Sequence, residues 1–178
     1  GIHRGAGMGF APTITTADAS LSLRDHVLSL RHSLADQARF RAEMTDDAFA
    51  RIPSDRLLGR LKGVDVLLLF VESYGRSTLE DPRFAPTVGR ALADFERAAE
   101  ATGFAARSAW LTSPIHGGQS WLAHATLLAG LRIDNQQRHE TLLLSDRPTL
   151  VGDFRRAGWR TIAVMPAVDR PWPESRFF

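Results

Sequence analysis

Ser120 follows the pair Gly117 and Gly118 and opens an apolar helical pattern that runs to about Leu128, with Gly130 as its stop. Two adjacent glycines let main-chain N–H groups approach an anion closely, and a helix N-terminus adds favourable partial charge. The turn therefore suits a phosphate or sulfate group. A serine hydroxyl is a weak nucleophile at neutral pH and needs a base or a metal to activate it. Glu72 closes the apolar run Val64–Val71 and supplies a carboxylate able to hold such a metal, which would lower the pKa of a coordinated oxygen. Plainer roles compete: a serine ahead of a helix is often only an N-cap, and a glutamate after a strand is often only solvated. His116 is placed to bind phosphate or to sit as a surface loop group, and His124, one turn after Ser120, either touches the same anion or packs.

These residues need a scaffold. Val64–Val71 is a short, nearly unbroken apolar run of the kind found in strands buried on both faces of a parallel sheet. Val88, Leu92, Phe95 and Ala99 then recur at helical spacing with Gly103 as a stop, and the stretch 104–113 has weak strand character. After the serine helix, a Pro148-started helix ends at Gly158 and a strand follows from Trp159 to Met165. Alternation of this kind predicts an α/β fold, a partial parallel sheet with flanking helices, in which ligands gather beyond the carboxyl ends of strands. Upstream, a Gly-rich lead-in over residues 1–16 precedes a charged helical segment, with Leu21, Leu28, Leu30, Leu34, Phe40, Met44 and Phe49 as its apolar positions and Pro53 as a break. The reading is two or three surface helices in residues 1–61, ahead of a domain spanning 62–178.

Composition narrows the partners. The sequence pI is near 9.9 although the net charge is only +2. Arginine carries nearly all the positive charge, and a single tyrosine with no cysteine leaves little to titrate above neutrality. Arginines are spread among acidic residues rather than clustered with aromatics, which excludes a nucleic-acid face. The absence of cysteine rules out disulfides, thiolate metal sites and a cysteine nucleophile. No apolar run approaches the roughly 20 residues of a membrane span.

Together these motifs resemble the alkaline phosphatase and sulfatase superfamily, most closely its phosphoglycerol and phosphoethanolamine transferase branch, which includes lipoteichoic acid synthases. The stretch "VLLLFVESYGR" resembles the strand that ends in an acidic metal ligand, here Glu72. The segment from Ser120 to "LLAG" at Gly130 resembles the nucleophile helix and its closing turn, and Pro148–Val164 resembles the next helix and strand. The resemblance implies an incomplete alkaline phosphatase-like sheet and a metal-dependent phosphoryl or headgroup transferase or hydrolase. It implies Ser120 as nucleophile, and Glu72 with Ser120 holding a divalent ion (Mn, Mg or Zn). Gly117, Gly118, His116, His124, Arg170 and Trp172 would contact substrate, a phospholipid headgroup or small phosphate ester. It further implies the extracytoplasmic face of a bacterial cytoplasmic membrane, reached through segments outside this chain.

Two departures shape the expectation. Leu122 and His124 stand where formylglycine sulfatases carry Pro and Arg, so sulfate hydrolysis by that route is not expected. The Asp and His residues that complete the superfamily's metal site are missing from the chain. The rival reading is therefore a non-catalytic binding fragment.

Overall fold

A computed structural model describes residues 16–72, 74–166, 175 and 177, with side-chain surroundings from Leu23 onward. The chain divides between Asp46 and Asp47 into two units. The first holds a single helix, α1 (Thr16–Thr45), of 30 residues. No Gly or Pro falls between its ends, so nothing in the local chemistry interrupts it. Charged residues recur along its length, and among the described residues no helix is long and apolar enough to cross a membrane.

The second unit begins with turns over 47–58 and a 3-10 turn at Gly59–Leu61. It continues through α2 (Ser77–Glu80), α3 (Ala85–Ala101), α4 (Ser120–Ala129), α5 (Gln136–Leu143) and α6 (Leu150–Arg156). Its core gathers around α4, which buries Leu122, Ala125, Leu128 and Ala129 at helical spacing. Ile133 and Leu142 add to this core. Gly130 ends α4 in the left-handed region at φ 64°, returning its N–H to the Thr126 carbonyl. The side chain of Thr126 accepts a hydrogen bond from the N–H of Ile133 at 2.9 Å, which fixes the exit turn against the helix.

Both later helices have side-chain caps. The Asn135 side chain accepts from the N–H of Arg138 at the start of α5, and Thr149 accepts from Gly152 at the start of α6. Each such cap is typically worth about 1 kcal/mol. The guanidinium of Arg156 donates to the carbonyls of Phe49 (2.8 Å) and Ala50 (3.2 Å) and to Asp153 (3.1 Å), tying the opening turns to α6.

Burial pushes the Asp153 carboxyl above its ordinary value of 3.8, Arg156 pulls it down, and Asp47 adds to the rise. A raised carboxyl binds its proton more tightly in the folded chain. Its contribution to stability is therefore complete below 3.8 and is lost as pH rises through the folded value. Asp153→Asn removes that titration. Between about pH 3 and about pH 7, urea unfolding should show the variant gaining stability relative to the wild type as pH rises. A difference that stays flat with pH would show that Asp153 does not titrate in this way.

The predicted α/β sheet is not formed: among the described residues there is no β-strand. The three segments read as strands, 64–71, 104–113 and 159–165, have no regular secondary structure and lack, among the described residues, the ladder of backbone hydrogen bonds that defines a sheet. Their apolar side chains stay open to solvent, with Leu67, Leu111 and Val164 the most exposed. The alkaline phosphatase and sulfatase fold is built on a sheet core, so the resemblance does not hold at the level of the fold.

Candidate functional site

Three successive residues in left-handed conformation, Gly117 (φ 58°), Gly118 (φ 61°) and Gln119 (φ 51°), turn the chain into α4. Glycine accepts this geometry without cost, whereas Gln119 holds it against the usual steric penalty of about 1–2 kcal/mol. Ser120 is the first residue of α4 and is half-buried, and no side chain caps the helix start. Ser120 is therefore not an N-cap. His116 lies in the exposed loop ahead of the glycines.

One turn further along α4, His124 meets two residues of the segment that precedes α2. Its Nε2 lies 3.2 Å from Oε1 of Glu72. Its ring packs on Phe70 with centroids 4.2 Å apart and planes at 33°. Glu72 is thus brought to the helix that Ser120 opens, through His124. Arg76 is engaged elsewhere, pairing with Glu80 and lying over the Trp110 ring at 5.3 Å from its centroid. Arg170 and Trp172 lie outside the described residues.

Glu72 and His124 offer one carboxylate oxygen and one imidazole nitrogen at a single spot. Even an open catalytic zinc site uses three protein ligands. Among the described residues no group of three or more His, Cys, Asp or Glu side chains is placed to hold a metal. The expected metal-dependent phosphotransferase or hydrolase is corrected accordingly: among the described residues the sheet that would carry the strand-end acids is not formed and no ligand cluster is assembled. The sulfatase-like enzyme identity loses its support.

The structure also shows a feature that the sequence did not suggest. Residues 64–72 are held at both ends. At one end the indole N–H of Trp159 donates to the Val64 carbonyl at 3.2 Å, and that indole packs edge-on against Phe154 with centroids 5.4 Å apart. At the other, Phe70 and Glu72 are fixed on His124. Residues 62–65 and 157–160 line a groove beside the first anchor.

Between the anchors, side-chain exposure alternates with the period of an extended strand. Leu67, Leu69 and Val71 are 83%, 66% and 72% exposed, whereas Val66, Leu68 and Phe70 are 47%, 46% and 37% exposed. The backbone of 65–71 makes no hydrogen bond to another described residue. Trp159 reads from the sequence as a packing residue, and nothing in its local pattern marks it as an anchor. No protein-family model, curated protein or solved structure matches the chain.

Proposed function

We propose that residues 47–178 are a non-catalytic binding module that takes up an extended polypeptide along Val64–Glu72. The observation that carries this reading is the pinning of that segment. It is anchored at Val64 and at Phe70 and Glu72, its side-chain exposure alternates with strand period, and its peptide groups between the anchors have no partner among the described residues.

A free extended backbone presents a row of donors and acceptors that another extended chain can pair with. Main-chain bonds then give affinity, and alternate side chains give specificity. Pre-organisation matters here, because ordering a free loop would cost roughly 1–2 kcal/mol per residue at the moment of binding. The two anchors remove most of that cost beforehand. The span of eight steps, at about 3.3 Å each, accommodates a partner of seven to nine residues, roughly 26 Å long. The outward Leu67, Leu69 and Val71 favour β-branched or aromatic side chains on the same face of the partner.

The test uses the full chain and a nine-residue peptide alternating valine and threonine, with lysine at each end for solubility. Amide hydrogen exchange over 65–71 should slow at every second residue when the peptide is added, because one edge of a strand offers alternate amides. A peptide with proline at its centre should give far less protection. Equal protection by both peptides, none by either, or protection that grows with protein concentration without peptide would overturn the reading.

A further inference from the structure

We infer that α1 carries a separate docking surface, for an amphipathic helix of another protein whose apolar seam is flanked by acidic residues. Leu23, Val27, Leu30 and Leu34 follow one another at steps of four, three and four, the spacing of a coiled-coil seam. At 3.6 residues per turn they fall within an arc of about 60°. All four are exposed, at 49–67%. Arg41 and Gln37 take the next seam positions, so the apolar stripe ends at Leu34 after two heptads.

Arg24 and Arg31 flank the stripe on one side and His26 on the other, while Asp25, Asp36 and Glu43 lie on the opposite face of the helix. An occupant of this seam meets the positive charge of Arg24 and Arg31 on one flank. An antiparallel second copy of α1 would set Arg24 and Arg31 against one another, which like-charge repulsion disfavours. An anionic lipid surface matches the charge but not the shape, because helices that lie in a membrane interface present a much broader apolar face. A helix with Glu or Asp at the flanking positions matches both.

The probe is a synthetic three-heptad helix with Ile and Leu in its seam and Glu at every flanking position, compared with the same peptide carrying Lys there. Fluorescence anisotropy with the full chain at low salt should show the Glu peptide binding at least about tenfold more tightly, the advantage shrinking as salt screens the flanks. The double variant Arg24→Glu, Arg31→Glu should reverse the preference. Leu30→Asp, an exposed position whose change leaves helix content by circular dichroism intact, should remove binding of both peptides. Equal binding of the two peptides, binding of neither, insensitivity to Leu30→Asp, a self-dimer that Leu30→Asp abolishes, or capture by phosphatidylglycerol vesicles in place of the peptide would each overturn the inference.

Discussion

Replacing Leu122 by alanine should destabilise the second unit by about 2–5 kcal/mol, read as a lower urea midpoint with an unchanged slope. Leu122 is fully buried on α4, in the same cluster as Ala125, Leu128 and Ile133. Removing its branched end forfeits both transfer energy and the contacts that lined the space it filled. The cost is large against the 5–15 kcal/mol that typically separates folded from unfolded chains. The decisive comparison lies on the same helix: Leu127 is 42% exposed and its alanine variant should lose much less. Two equal losses would mean that α4 does not bury the face described for it.

That contrast shows what a sequence makes legible. α4 stops at Gly130, α3 gives way at Thr102 beside Gly103, and α6 ends just ahead of Gly158. Helix bonds connect residues four apart, so spacing and stop residues carry most of what is needed. Sheet pairing is non-local, and the run from Val64 to Val71 contains nothing that says which chain, if any, lies beside it. Apolar β-branched and aromatic residues fit a pleated surface when one exists and do not create it. The run therefore reads as a buried strand, and the structure leaves it exposed and without strand pairing among the described residues.

The site divides in the same way. The glycine pair ahead of Ser120 announced a sharp turn into a helix, and Gly117 and Gly118 are left-handed there. That Gln119 joins them could not be read from its type. The meeting of Glu72 with His124, more than 50 positions apart in sequence, depends on Phe70 finding the imidazole ring, which no local pattern encodes. The helical N-terminal segment reads as two or three helices up to Leu61 with Pro53 as a break, and an uninterrupted run of helix-tolerant residues keeps α1 whole to Thr45.

Proline substitution within the pinned segment should separate backbone pairing from a merely sticky apolar surface. Leu68→Pro and Leu69→Pro each remove one N–H, and successive amides of an extended chain point to opposite edges. Proline is also compatible with the extended geometry of the residue before it, so the local path should survive. One of the two variants should therefore weaken the valine–threonine peptide by at least about tenfold, through a lost hydrogen bond and a ring set against the incoming strand, while the other weakens it much less. Hydrophobic adhesion predicts something different. Leu69 is more exposed than Leu68, so simple loss of leucine would penalise both in proportion to exposure and would be reproduced by Leu68→Ala and Leu69→Ala. Pairing requires the asymmetry to follow the amide and not the side chain. If proline and alanine give the same pattern at both positions, the peptide is not held by the backbone of 65–71, and the extended segment is a surface without the role assigned to it.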